Sequence, residues 1–280
     1  MDGLTPVGRT AAGAALWRIA HLLLDGEPKI FVDSLAQRLL GVPDEHVLRA
    51  KAAFPESTAA WVVRSRYTED RLAEAVARGV EQYVILGAGL DTFAYRASGA
   101  LARLRVFEVD TPESQAWKRE RLAAGGIRIP PRCELVACDF ERQSPSDAFA
   151  RSTFDPRAPT FVSWLAVTMY LRRDAIERTL RWIAGLGPRT ELVLTYCVPE
   201  ARKRPAVRFA SHMGARFVSF FSTDEMRQLL RDAGFREIRP LTLEEERRAY
   251  FSGRTDGLSP SDTELLLWAR VTPPEERPRA

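Results

Sequence analysis

From residue 82 onward short apolar segments alternate with helical patterns, and that rhythm restricts the possible folds more than any other feature of the chain. The segments are YVILG, LRVFEVD, CELVACD, PTFVSWLAV and TELVLTYCV, separated by patterns such as PESQAWKRERLAAGG and RDAIERTLRWIAGLG. Strands that are apolar along their whole length are covered on both faces, and helices between them make neighbouring strands parallel. After the helical pattern STDEMRQLLRDAGF come REIRPLTL and ELLLWARVT, with no clear helix between them. These two predict an antiparallel pair at one edge of the sheet. The expected fold is α/β and Rossmann-like, with about seven strands in a mostly parallel sheet.

Residues 10–78 read differently. TAAGAALWRIAHLLL, DSLAQRLLG and TEDRLAEAVARG carry apolar residues at helical spacing, with Thr or Asp at their starts and Gly at two ends. The expected organisation is a helical extension over 1–80 lying as a lid on the carboxyl ends of the strands. A core over 81–272 and a tail over 273–280 complete it. With 280 residues the chain buries a sizeable core without staples. Cys133, Cys138 and Cys197 are odd in number and form no C-x-x-C pair, which suits free thiols in a reducing cytoplasm and gives no metal site. The first helical pattern is broken by Arg18 and His21, so neither a leader peptide nor a spanning helix is expected. The formal charge of +4 is spread among acids, which predicts no nucleic-acid stripe.

The first strand runs into Gly87-Ala88-Gly89, with Asp91 two positions beyond. Glycines at a strand-to-helix turn let a ligand approach the main chain, and in an open α/β sheet that turn lies at the ligand-binding edge. Nineteen and twenty-one residues past Gly89 stand Glu108 and Asp110, placed to accept the hydroxyls of a ribose. The third strand ends at Asp139 and Phe140, placed to bond an adenine amino group and pack on its ring. Three successive strand ends thus form a nucleoside pocket. A dinucleotide would want a third glycine where Thr92 stands, and Asp91 would repel its phosphates. S-adenosyl-L-methionine carries no phosphate, and its sulfonium and amino groups are cationic. The turn therefore fits a methyl donor better than NAD(P), and a non-catalytic nucleoside-binding relic is the remaining alternative.

VILGAGLDTFAYR, FEVDTPESQAWKRERL, SWLAVTMYL and FVSFFSTDEMRQLLRDAGF together resemble the leucine carboxyl methyltransferase-like branch of class I S-adenosylmethionine-dependent methyltransferases, bacterial O-methyltransferases included. The resemblance runs over most of the chain. It implies that Gly87 and Gly89 line the methionine part of the donor, Asp110 takes the ribose, and Asp139 and Phe140 hold the adenine. In RSRY it implies an arginine for the donor carboxylate, Arg64 first and Arg66 second, since a guanidinium grips a carboxylate through two parallel bonds. After the fourth strand, where that branch often has an acid, this chain offers Trp164 and Leu165 to the donor. The implied acceptor is a small molecule with a hydroxyl or carboxyl oxygen, in secondary metabolism. His212 is the candidate base, and Tyr170 and Tyr196 are candidates for the acceptor pocket.

Overall fold

The computed structural model describes residues 6–53, 58–204, 207 and 216–271. Its sheet has seven strands: β1 (Gln82–Leu86), β2 (Arg105–Asp110), β3 (Cys133–Ala137), β4 (Thr160–Trp164), β5 (Glu191–Cys197), β6 (Glu237–Pro240) and β7 (Glu264–Arg270). They lie in the order β3-β2-β1-β4-β5-β7-β6. The first five are parallel, with Ile85 level with Glu108 on one side and Ser163 on the other. β7 runs antiparallel to both β5 and β6, so the expected antiparallel edge pair is present.

Every residue of β1, β4 and β5 is buried, because helices cover both faces. On one face Leu86, Val109, Trp164 and Leu194 pack with Ile176, Leu180 and Ile183 of α8 (Arg173–Ala184) and with Met226 and Leu230 of α9 (Thr223–Ala233). On the other, Tyr83, Ile85, Phe161 and Val193 pack with Val62, Val63, Leu72 and Ala75 of α4 (Thr58–Ala77). The region between β6 and β7 is not plain loop. Thr242 and Glu245 form a reciprocal capping box that opens a helical turn at Leu243–Glu246.

The helices before β1 bind the molecule at one place above all. α1 (Pro6–Leu24), α2 (Ala36–Leu40) and α3 (Asp44–Ala53) share an apolar cluster with Leu90, from the loop after β1, and Leu122, from α6 (Pro112–Ala124). Polar ties fix the same surfaces: Arg18 Nη2 donates to Leu90 O at 2.7 Å, and Arg121 Nε donates to Leu39 O at 3.0 Å. α1 therefore meets the loop at the carboxyl end of β1, which is where strand order reverses and where such sheets take their ligands.

Candidate functional site

The glycine turn is held from three sides. Gly87 N and Ala88 N both donate to Val109 O, at 2.7 and 3.0 Å, and Gly89 N donates to Asp110 Oδ2 at 2.7 Å. Gly87 and Gly89 have φ of 70° and 44°, the left-handed region that favours glycine. Their bare faces, however, already touch protein. A Cβ on Gly87 would stand 2.2 Å from Val167 Cγ2, and one on Gly89 would stand 3.0 Å from Ala11 Cβ. Glycine is thus required at both positions by the chain's own packing as well as by the turn. Ala88 is buried in the core, and Asp91 holds the turn: its Oδ1 accepts from Phe93 N at 2.7 Å and its carbonyl accepts from Lys118 Nζ at 2.8 Å.

The two acids of β2 part company. Asp110 Oδ1 accepts from Thr111 N at 2.7 Å, so each carboxylate oxygen takes one main-chain N–H and retains acceptor capacity. Burial raises its pKa above the ordinary carboxylate range, while the N–H groups of Gly89 and Thr111 pull it back. Glu108 is wholly buried in an ion pair with Lys118 Nζ at 2.6 Å and accepts from Tyr95 OH at 3.0 Å. Burial pushes its carboxyl up and Lys118 opposes the shift. Glu108 therefore braces β2 against α6, while Asp110 keeps acceptor capacity at the turn. Asp139 Oδ1 accepts from Glu141 N at 3.0 Å, and the Asp139 residue is half-buried. The Phe140 ring lies in the core, 6.2 Å from that of Trp164.

Arg64 leaves α4 near the carboxyl end of β5 and the amino end of β7, which lie side by side because the two strands are antiparallel. Its guanidinium lies 3.8 Å above the Trp61 ring, and its Nη1 donates to both oxygens of Glu264, each at 3.2 Å. Only 7% of its side chain is exposed. Burial lowers its pKa, with Glu264 acting in the opposite direction. Tyr170 is an electrostatic neighbour of both, and burial chiefly, with Glu264, raises its phenol above the ordinary range, which keeps it protonated. It packs edge-on against Phe217, centroids 5.1 Å apart, beside Met169, Cys197 and Phe220.

The other candidates are not brought here. Arg66 is half exposed and pairs with Asp70 at 2.9 Å, one turn along α4. Trp164 is fully buried on the α8 face, Leu165 joins the α4 face, and Tyr196 sits in the core donating to Thr223 Oγ1 at 2.9 Å. His212 lies outside the described residues. Sequence reasoning missed Glu264, Lys118, Ala11 and Val167. Only Lys118 left a signal, a lone basic residue on the sheet-facing side of α6.

The groups at this edge of the sheet fit an adenosyl amino acid: a carboxylate with spare acceptor sites at the glycine turn, and a buried cation beside the end of β5. Comparison with known proteins agrees. Residues 11–184 match the profile of the leucine carboxyl methyltransferase family. YktD of Bacillus subtilis, named as an S-adenosyl-L-methionine-dependent methyltransferase, is 30% identical over 85% of this chain and 80% of its own. A protein of the same designation from Saccharopolyspora erythraea is 32% identical over 72% of this chain and 71% of its own. The fold is shared with a DUF574 protein of Streptomyces avermitilis at a TM-score of 0.62 and 16% identity, covering 92% of this chain and 97% of that one. With a family profile over more than half its length and such relatives across most of it, the chain belongs to the leucine carboxyl methyltransferase family, as a methyltransferase that uses S-adenosyl-L-methionine.

Proposed function

We propose that this methyltransferase transfers the donor's methyl group to a hydroxyl or carboxyl oxygen of a small molecule, in the cytoplasm and in secondary metabolism. The observation that carries the reading is the apolar cluster of Met169, Tyr170, Cys197, Phe217 and Phe220 beside the Arg64–Glu264 pair, at the same strand ends as Asp110. An apolar acceptor can be held there with water excluded, and orientation of nucleophile, methyl carbon and sulfur in one line supplies much of the acceleration. Asp110 holds the ribose, Asp139 the adenine edge and Arg64 the donor carboxylate. Gly87 and Gly89 shape the turn beside them. α1 acts as the lid, since Ala11 and Arg18 already rest on the glycine turn.

Tyr170, kept protonated, donates a hydrogen bond to the acceptor rather than taking its proton. A carboxylate acceptor needs no base at neutral pH, whereas a hydroxyl draws on one, for which His212 stands as the candidate. A panel of small carboxylic acids and phenols, incubated with methyl-labelled donor, tests the proposal by product analysis. Label released by mild base marks an ester, and base-stable label on oxygen marks an ether. Label on nitrogen or carbon, or on protein alone, would overturn it.

A further inference from the structure

We propose that Glu264 receives the α-ammonium group of the methyl donor, so that Arg64 and Glu264 together read the zwitterion of its amino-acid end. The inference rests on the reading of Arg64 as partner of the donor carboxylate and adds to it a residue from a distant strand.

Arg64 lies over the Trp61 ring and is mostly buried, yet it commits only Nη1 to Glu264. Its Nε and Nη2 carry no hydrogen bond among the described residues. Both contacts are 3.2 Å, longer than the roughly 2.7–2.9 Å of a tight charge-assisted bond. The pair is close enough to neutralise and loose enough to admit a guest.

Charge balance then selects the guest. The site already holds two neighbouring cations, since Arg18 acts on Arg64 electrostatically. Arg18 is itself balanced by buried Asp33, whose Oδ2 accepts from Arg18 Nε at 2.7 Å. The two pairs sum to zero, so a ligand bringing only an anion would leave the buried set one charge negative, and one bringing only a cation would leave it one charge positive. A zwitterion leaves the buried charge at zero and gives each member of the pair a second partner, which is the condition for keeping charges out of water. Of the other acids around the turn, Asp91 accepts from Phe93 N, Asp110 from Gly89 N and Thr111 N, and Glu69 is paired with Arg96. Glu264 is the carboxylate that stands next to Arg64.

The test uses calorimetric titration of the full chain with S-adenosylhomocysteine, its deaminated and decarboxylated analogues, and 5′-methylthioadenosine, which lacks the amino-acid end. The wild type should bind S-adenosylhomocysteine about 10- to 100-fold more tightly than the deaminated analogue. Glu264→Gln should lose a similar factor for S-adenosylhomocysteine and nothing for the deaminated analogue or 5′-methylthioadenosine. Arg64→Gln should abolish the preference over the decarboxylated analogue instead. Equal wild-type affinity for S-adenosylhomocysteine and its deaminated analogue overturns the proposal even if the variants do not fold. So does unchanged or tighter binding of S-adenosylhomocysteine by Glu264→Gln, which would make Glu264 a competitor for Arg64. Loss of preference in neither Arg64→Gln nor Glu264→Gln would instead remove Arg64 from the donor site.

Discussion

At the scale of single residues, the glycine turn separates two costs that are usually confounded. Gly87→Ala forces a side chain into a backbone at φ 70° and into Val167. The first costs about 1–2 kcal/mol and the overpacking about 1–3 kcal/mol. Adding Val167→Ala should return the packing part and leave the backbone part, and denaturant titration of Gly87→Ala, Val167→Ala and the double variant checks the difference. Asp110→Ala should weaken S-adenosylhomocysteine by roughly 1.5–3 kcal/mol without loss of fold, the range for a hydrogen bond to a charged group. Glu246 gives a dependence on pH. Burial pushes its carboxyl up to about 7, opposed by Arg247. The folded state therefore binds its proton more tightly than the unfolded chain does. Its contribution is most favourable at acid pH, below the unfolded carboxyl pKa of about 4.3, and is lost as pH rises through 7. Glu246→Gln should then gain stability relative to wild type between pH 5 and pH 8, read as a widening difference in Tm. A constant difference across that range would show that the carboxyl titrates normally.

At the scale of elements, the sequence was most legible where a whole segment answers to one demand. β1, β4 and β5 are buried on both faces and so are apolar throughout, and α9 announces itself by Ser222 with Glu225 and by Gly234 past its end. The polar groups of the candidate site are legible where a strand end carries its own acid, as at Asp110 and Asp139. They are illegible where the partner is remote. Nothing in FEVD tells that Glu108 will meet Lys118 while Asp110, on the same face of β2, meets Gly89. Tyr196 reads like a pocket residue from its place at the end of β5, but strand alternation turns it to the core face, and Glu264 reads only as the first residue of a strand. The helical turn at Leu243–Glu246 was missed although its cap, Thr-Leu-Glu-Glu, is visible in the sequence. α1 supplies a prediction of its own. Arg18→Met removes the nearer of two cations from buried Asp33, leaving Arg96 at 3.9 Å, and frees the carbonyl of Leu90, so it should cost about 1.5–3 kcal/mol. Protection of the Gly89–Asp91 amides from hydrogen exchange should fall with it, and exchange unchanged there would detach α1 from the turn.

At the scale of the whole molecule, the far-apart parts of the chain meet at the carboxyl edge of the sheet: α1 and α4 from the beginning, the glycine turn from the middle and β7 from near the end. β7 lies inside the sheet, between β5 and β6, although it is later in the chain than either. On a ribosome this order has a consequence. Once Cys197 has emerged, the outer edge of β5 waits about 70 residues for its partner, several seconds at ~5–20 residues per second. During that interval β5 presents a bare apolar edge of the kind that templates intermolecular pairing, and β6 has no strand to join. A nascent chain stalled before residue 264 should accordingly be captured by holding chaperones, while one stalled with β7 fully extruded should be released from them.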